Sequence, residues 1–398
     1  MKALAAGPGL SRRARMIEVS PTVAMAARAN ALKASGRSVL DFSVGEPDQP
    51  TPGHITAAAE RALQAGRTKY APSAGLPELR RAVVERYRQD FGVSFEPAES
   101  VISVGGKQAL YLVCQALLER GDEMVLPAPY WPTFAEAARL AGARPAIVET
   151  QEADGWAVTT ALVSKAVTAK TRAILVNSPS NPTGAVVPSE DLLALARLCK
   201  RRKLTLLYDD TYARLSFLPI DRGVLGAVKD LLGERLVIIG TASKTYCMTG
   251  WRIGWVLGGK ALAEACTALV SHSTQHPTTF AMAGAVEAMT GSQQVVEALA
   301  AEYRARFEFI YGAVAALPRV SCVRPGGGFY LFPNLTRYLS KACPTTLDLG
   351  GQLLEAQGVA LVPGEGFGAP GYLRLSFARS MDELRQGALR IRNFLSGL

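Results

Sequence analysis

Two basic residues lie eight positions apart just beyond an apolar run, in a pattern that could support covalent catalysis. Lys244 follows the run 236–240 and lies among small hydroxyl residues such as Thr241 and Ser243. A lysine held there is partly desolvated, which lowers its pKa and suits it to form a Schiff base. Arg252 lies among aromatic and apolar neighbours. We therefore expect Arg252 to bind an anion, either a phosphate or the carboxylate of an ordinary ion pair.

Further polar residues come directly after strand-like runs. Asp209 follows the run 204–208, and Tyr212 comes three residues later. A carboxylate there could keep a pyridine nitrogen protonated, although the same residue could serve only as a helix N-cap. Asn181 follows another apolar run within Asn-Ser-Pro-Ser-Asn-Pro-Thr-Gly (177–184). Its Asn-Pro and Thr-Gly pairs also fit an ordinary turn.

Two glycines separate an apolar run from a helical segment at 105–106, directly before Lys107. Glycine lets backbone N–H groups approach an anion closely, and the positive end of the helix dipole favours phosphate. A tight turn between strand and helix needs glycine as well, so this segment alone does not distinguish a phosphate site from a structural turn.

A succession of strands and helices must position these residues. Strand-like runs occur at 101–104, 123–126, 173–177, 204–208, 236–240 and 253–257, and helical segments at 107–120, 134–141 and 189–202. Apolar strands that do not alternate and are separated by helices predict a buried, mostly parallel sheet. Ligands bind at the carboxyl ends of strands in such sheets, which is where the polar residues lie.

The pattern changes after about residue 291. A long helix at 293–317 is followed by a β run at 328–332, a helix at 347–357, strands at 359–362 and 372–376, and a last helix at 381–395. We predict an α/β protein in three parts. Residues 1–50 form an N-terminal arm and part of a small domain, residues 51–290 a large domain, and residues 291–398 a small C-terminal α+β domain.

Composition narrows the class of protein. The 398 residues are 48% hydrophobic and 20% charged, as in ordinary globular proteins. The net charge is +10, but the basic residues are scattered, so we expect no nucleic-acid or membrane partner. Six widely spaced cysteines and three histidines indicate no metal site, and reduced cysteines indicate a cytoplasmic protein.

Taken together, these motifs resemble the class I/II aminotransferases of pyridoxal 5'-phosphate (PLP) fold type I, specifically the bacterial aspartate/prephenate aminotransferase-like group. The resemblance covers nearly the whole chain, and its most specific segments are 177–184, 243–244 and 248–254. It implies a large domain with a mostly parallel seven-stranded sheet and a smaller α+β domain. It also implies PLP as cofactor and transfer of an α-amino group between an L-amino acid and a 2-oxo acid.

The resemblance implies a role for each matching residue. Lys244 would hold PLP and move the proton at the substrate Cα, and Asp209 would pair with the pyridine nitrogen. The other implied cofactor contacts are Asn181 and Tyr212 to the phenolic oxygen, Trp131 to the ring face, and Gly106, Lys107, Thr241, Ser243 and Arg252 to the phosphate. Arg374 would bind the substrate α-carboxylate with Asn181, Trp131 and Gly45. Tyr70 would reach the phosphate of the neighbouring subunit in a homodimer.

The side-chain preference depends on fewer residues. In the resembling group, the position of Lys107 is associated with the distal carboxylate of acidic substrates, which favours aspartate, glutamate or prephenate. Lys107 could equally be a solvent-facing lysine. Glu18 opposes the acidic preference, because the group typically carries lysine there. The segment 271–278, expected at the dimer interface, contains no arginine. Its His272, Gln275 and His276 could bind a polar or aromatic side chain, or could simply pack at the interface.

Other activities on the same fold stay open. A carbon–sulfur β-lyase, a cyclase or an oxidative deaminase can share the lysine, aspartate, asparagine and both arginines. A third alternative is a non-catalytic PLP-binding regulator. Such regulators usually carry an added DNA-binding domain, and we expect none here because no helix–turn–helix segment precedes the fold.

Overall fold

The computed structural model describes residues 9–17 and 21–398. The α-helices are α1 (Arg12–Met16), α2 (Pro21–Ala34), α3 (Gly53–Gln64), α4 (Pro77–Phe91), α5 (Gly105–Leu117), α6 (Pro132–Leu140), α7 (Thr160–Ser164), α8 (Ser189–Arg202), α9 (Val224–Leu232), α10 (Lys260–Ser271), α11 (Thr279–Thr290), α12 (Gln294–Ala315), α13 (Thr346–Gln357) and α14 (Met381–Ser396). The strands are β1 (Leu40–Asp41), β2 (Ser100–Val104), β3 (Glu123–Ala128), β4 (Arg144–Glu149), β5 (Thr171–Asn177), β6 (Thr205–Asp209), β7 (Leu236–Thr241), β8 (Ile253–Leu257), β9 (Tyr330–Leu331), β10 (Val359–Ala360), β11 (Val362–Pro363) and β12 (Leu373–Ser376).

Seven strands form the central sheet in the order β2-β8-β7-β6-β5-β3-β4. Strand β8 runs antiparallel to both of its neighbours, and the other neighbouring pairs are parallel. The middle strands are buried on both faces because two apolar cores, one on each side, cover them with helices. The predicted α/β class and seven-stranded, mostly parallel sheet are therefore confirmed.

The edge strand β4 has no counterpart among the predicted runs. Its burial alternates along the chain, with Ala146 and Val148 buried while Ile147 is 41% exposed. An edge strand that is covered on one face alternates in this way, so it lacks the continuous apolar run that identified the inner strands.

A third core lies among the C-terminal elements. Strands β11, β12 and β9 form an antiparallel sheet, while β10 pairs in parallel with β1 from the N-terminal part of the chain. The predicted strand 359–362 is therefore two short strands, because β10 pairs with β1 and β11 pairs with β12. This pairing, and the packing of α2 on β10 and β11, join the N-terminal part of the chain to the C-terminal elements, as proposed for residues 1–50.

The sheet brings distant polar residues to one edge. Asn177 ends β5, Asp209 ends β6 and Thr241 ends β7, so all three lie at the carboxyl ends of adjacent parallel strands. Strand β12 carries Arg374 to the same region. Within residues 9–17 and 21–398, no helix combines the length and apolarity needed to cross a membrane.

Candidate active site

A cavity opens at the carboxyl edge of the central sheet, and its wall also includes Tyr212 and Tyr330 of the C-terminal core. Every residue to which the resemblance assigns a cofactor or substrate contact lines it, except Tyr70. The candidates from segment 271–278, His272, Gln275 and His276, do not line it. The cavity wall also contains residues that the sequence did not single out: Thr22, Val23, Phe134, Asn177, Thr211 and Tyr330. The predicted constellation is therefore brought together by the fold. Glu18, which we expected near the substrate entrance, lies outside the described residues.

Lys244 points its amine towards the N-terminal segment. Its Nζ donates a hydrogen bond of 2.6 Å to the carbonyl oxygen of Gly45. Burial lowers the pKa of Lys244 to about 8, and the positive charges of Arg374, Arg252 and Lys107 act in the same direction against the opposing charge of Glu46. A larger fraction of this amine is therefore uncharged near neutral pH than for an exposed lysine, as a nucleophile or base requires.

Asp209 is 4% exposed at the end of β6. Its Oδ1 accepts hydrogen bonds from Asn177 Nδ2 at 2.9 Å and from the Thr211 backbone N–H at 3.1 Å. Burial raises the pKa of Asp209 to about 6. Asp209 does not cap a helix, because the following 3-10 turn Ala213–Leu215 begins after Tyr212. Its carboxylate is instead fixed in the cavity wall, as a group that binds a protonated ring nitrogen would be.

Arg374 is a buried cation, 2% exposed, whose partners in the described part of the chain are neutral. Its Nη1 donates to Asn181 Oδ1 at 3.0 Å, and its Nη2 donates to the Ser43 carbonyl oxygen at 2.7 Å. Its Nε has no hydrogen-bond partner. Burial lowers the pKa of Arg374. Since a buried charge is costly unless it is paired, the site suits a bound carboxylate.

The N-terminus of α5 forms a cradle of backbone and hydroxyl groups. Gly105 has φ +77°, which lets the chain turn from β2 into α5. A Cβ on Gly106 would lie 3.3 Å from the Thr241 Cβ, so glycine keeps the helix close to β7. The Thr241 and Ser243 hydroxyls lie 2.8 Å apart. A helix N-terminus beside two hydroxyls fits a phosphate group.

Arg252 completes this cradle from the rim of the cavity. It is exposed rather than enclosed by its aromatic neighbours, with φ +60° and Nη1 donating 2.7 Å to the Thr249 carbonyl oxygen. The guanidinium lies close to Gly105, since a Cβ there would be 2.4 Å from Arg252 Nη2. No carboxylate in the described ranges forms an ion pair with Arg252, which leaves its charge available to a phosphate.

Lys107 lies at the mouth of the cavity beside Trp131. Its Nζ is 5.2 Å from the centroid of the Trp131 ring. Desolvation and the nearby charge of Arg252 lower the pKa of Lys107. Lys107 forms no ion pair with any carboxylate that the structure places. Its side chain is exposed to solvent and at the same time lines the cavity.

Tyr70 lies away from the cavity of its own chain. Its side chain is 89% exposed, and its ring packs edge-on against His276 at 5.9 Å between centroids. His276 Nε2 accepts a hydrogen bond of 3.1 Å from the Ala71 backbone N–H. His272 and Gln275 are exposed. His276 thus has local structural contacts, whereas most of the Tyr70 side chain is exposed to solvent.

Some contacts of the site were not predictable from local sequence. Ser43 binds Arg374 across 331 residues of chain, and no motif marks it. Tyr330 belongs to the Gly-Phe-Tyr segment at 328–330, but its hydroxyl contact with Tyr212 comes from packing. Asn177 could have been found, since it ends a strand beside Asp209 in the same way that Asp209 ends β6.

Comparison with known proteins gives a consistent family. The family model for aminotransferase class I and II matches residues 37–391. An aspartate aminotransferase of Geobacillus stearothermophilus is 40% identical over 97% of this chain and 98% of its own length. The aspartate/prephenate aminotransferase of Thermus thermophilus is 40% identical over 97% of this chain and 99% of its own.

Solved structures agree with the sequence relatives. The aspartate aminotransferase from Thermus thermophilus with maleate has a TM-score of 0.92 and 39% identity, covering 98% of this chain and 100% of that one. The aspartate aminotransferase from Rhizobium meliloti has a TM-score of 0.92 at 31% identity, covering 98% and 99%. The chain belongs to the class I and II aminotransferases and is a PLP-dependent transaminase.

Proposed function

We propose that this aminotransferase prefers dicarboxylic substrates, exchanging the α-amino group of L-aspartate or L-glutamate with a 2-oxo acid, with prephenate as a further candidate acceptor. The observation that carries the proposal is the charge of the cavity. Among the described residues, four cations line it, Lys107, Lys244, Arg252 and Arg374, and one carboxylate, that of Asp209. After a phosphate and an α-carboxylate are bound, Lys107 still offers a cation to a second substrate carboxylate.

The proposed substrate contacts begin at Arg374. A planar guanidinium can hold a carboxylate through two parallel hydrogen bonds, and Asn181 and Ser43 orient the Arg374 group from behind. Trp131 and Gly45 lie in the same cavity wall, where they would contact the bound amino acid. Fixing the carboxylate decides which Cα bond faces the reacting base, which is how positioning contributes to the rate.

The proposed cofactor contacts use the cradle and the strand ends. The α5 N-terminus at Gly106 and Lys107, with Thr241, Ser243 and Arg252, would hold the PLP phosphate. Asp209 would keep a proton on the ring nitrogen, Asn181 and Tyr212 would bind the phenolic oxygen, and Trp131 would cover the ring. Bound PLP supplies an electron sink for the charge that develops at Cα.

Lys244 is the proposed base. Its lowered pKa leaves the amine able to accept the Cα proton and return it during the reaction. The hydrogen bond to the Gly45 carbonyl oxygen holds Nζ in the cavity, so the proton moves over a short path instead of exchanging with bulk water.

The names of the related proteins support a preference for acidic substrates. They include aspartate and aspartate/prephenate aminotransferases, and one solved neighbour was crystallised with maleate, itself a dicarboxylate. Segment 271–278 lacks arginine, so the proposal rests on Lys107 for the distal carboxylate.

The test compares wild type and the Lys107→Ala variant by measuring kcat/KM for a series of amino donors. We expect kcat/KM for aspartate and glutamate to fall about 10-fold or more, since a hydrogen bond to a charged group contributes ~1.5–3 kcal/mol, while alanine and phenylalanine change little. Lys260→Ala is the matched control, because Lys260 is an exposed first-turn lysine of α10. Equal losses for aspartate and alanine, or none for aspartate, would remove Lys107 from this role.

We also propose a homodimer in which Tyr70 serves the partner's cofactor phosphate, which its 89% exposure supports. Mixed dimers of Lys244→Ala and Tyr70→Ala chains test this directly. If Tyr70 acts in the partner, one of the two sites in a mixed dimer has both native residues, and activity returns to about half. No recovery of activity on mixing the two variants would contradict the arrangement.

The six unpaired cysteines support a cytoplasmic location.

A further inference from the structure

Tyr330 contacts three parts of the site without being one of its expected residues. It lies in β9, is 1% exposed, and lines the cavity. Its hydroxyl is 3.0 Å from the hydroxyl of Tyr212. The two phenols therefore share one hydrogen bond, in which only one of them can be the donor.

The ring of Tyr330 packs against the guanidinium of Arg374. The guanidinium carbon of Arg374 is 4.4 Å from the centroid of the Tyr330 ring, a distance at which a cation is attracted to an aromatic face. Asn181 and Ser43 bind the two terminal nitrogens of the same group. The Tyr330 ring therefore supports the guanidinium, together with the Phe367 ring at 5.1 Å, while the hydrogen bonds hold its two terminal nitrogens.

The hydroxyl of Tyr330 also sets the position of Gly45. A Cβ on Gly45 would lie 2.1 Å from the Tyr330 hydroxyl oxygen, so the phenol lies directly against the Gly45 backbone. The carbonyl oxygen of that same residue accepts the hydrogen bond from Lys244. Tyr330 therefore supports the acceptor that holds the reactive amine.

The positive charge of Arg374 above the Tyr330 ring indicates which of the two phenols, Tyr212 or Tyr330, donates the hydrogen bond. Burial raises the pKa of both phenols. The Arg374 cation opposes this rise more directly at Tyr330, whose ring it covers, which makes Tyr330 the more acidic phenol and the better donor. Tyr212 then accepts from Tyr330, and its own proton is free to be donated elsewhere.

We propose that Tyr330 is a positioning residue. Its hydroxyl donates to Tyr212, which directs the Tyr212 proton to the phenolic oxygen of PLP, and its ring seats the Arg374 guanidinium for the α-carboxylate. The proposal rests on the assignments of Tyr212 and Arg374 made above. It adds a residue that acts through both of them, by its hydroxyl on Tyr212 and by its ring on Arg374.

The test is a pH titration of the visible absorption of the PLP-loaded enzyme, which reports protonation at the cofactor–Lys244 link. In Tyr330→Phe the ring stays and the hydroxyl is removed, so Tyr212 becomes a weaker donor to the phenolic oxygen. We expect the apparent pKa of this titration to rise by about 0.5–1 unit, the size of one neutral hydrogen bond, and KM for the amino donor to stay within about 3-fold.

The variant Tyr330→Leu tests the role of the Tyr330 ring separately from that of its hydroxyl. It removes the ring beneath Arg374, and we expect amino-donor binding to weaken by a further ~3–30-fold relative to Tyr330→Phe, in line with a desolvated cation–π contact. Tyr338→Phe is the matched control, since it removes a buried tyrosine hydrogen bond to the Pro318 carbonyl oxygen away from the cavity. It should leave both the titration and KM unchanged.

Tyr212→Phe distinguishes failure of this inference from failure of the underlying assignment. If Tyr212→Phe shifts the spectral titration and Tyr330→Phe does not, the proposed role of the Tyr330 hydroxyl is wrong. If Tyr212→Phe itself leaves the titration unchanged, the assignment of Tyr212 to the cofactor is wrong. Should Tyr330→Leu fail to fold, Tyr330→Phe still decides the hydroxyl role.

Discussion

Replacing Arg374 by lysine should weaken the reaction of every amino donor, whatever its side chain. Lysine keeps the positive charge but cannot present two parallel N–H groups to a carboxylate. The Arg374 guanidinium binds Asn181 Oδ1 at 3.0 Å and the Ser43 carbonyl oxygen at 2.7 Å. The single amine of a lysine cannot make both of these bonds and also bind the substrate carboxylate.

The expected size follows from the strength of one such hydrogen bond. A hydrogen bond to a charged group contributes ~1.5–3 kcal/mol, which corresponds to about a 10- to 100-fold loss in kcat/KM. Arg379→Lys is the control, because Arg379 Nε donates to the Asp41 carbonyl oxygen at 2.8 Å in the same neighbourhood. The assay compares aspartate, alanine and phenylalanine. An Arg374→Lys enzyme that loses activity with aspartate alone would contradict the assignment of Arg374 to the α-carboxylate.

Two further predictions concern Gly45 and Asp210. Gly45→Ala should reduce kcat by more than about 10-fold, because its Cβ would lie 2.1 Å from the Tyr330 hydroxyl and displace the acceptor of Lys244. Burial raises the pKa of Asp210 to about 8, so folded chains retain a proton that unfolded chains lose above pH ~4. This group's contribution to stability is complete below that pH and is lost as pH rises towards 8. Asp210→Asn should therefore lose less thermal stability than wild type between pH 6 and pH 8, by a few degrees.

The controls for these two variants come from the same chain. Gly53→Ala adds a Cβ in open space at the start of α3 and should leave kcat unchanged. A Gly45→Ala enzyme with native kcat would show that the close approach is not needed. For Asp210, equal falls in the unfolding temperature of both proteins across the pH series would show that this carboxyl does not titrate as its burial requires. Asparagine keeps an oxygen acceptor for Tyr87, whose hydroxyl donates to Asp210.

Local sequence accounts for much of the fold and the site. The inner strands were predictable because burial on both faces gives continuous apolar runs, and the residues that end them fall at one sheet edge by topology. The contacts that orient the site were not predictable in the same way. Ser43 reaches Arg374 and Tyr330 reaches Tyr212 only through tertiary packing. The positive φ of Arg252, +60°, was not predictable from its residue type either.

One measurement tests both the transaminase chemistry and the proposed substrate. It is the reaction of the PLP-loaded enzyme with L-aspartate in the absence of any 2-oxo acid. A transaminase acting on aspartate should lose the visible absorption of its lysine-bound cofactor, release one equivalent of oxaloacetate for each site, and stop. Continued turnover with release of ammonia or pyruvate would show lyase or deaminase chemistry instead. An unchanged spectrum with aspartate but a complete change with phenylalanine would contradict the dicarboxylate preference.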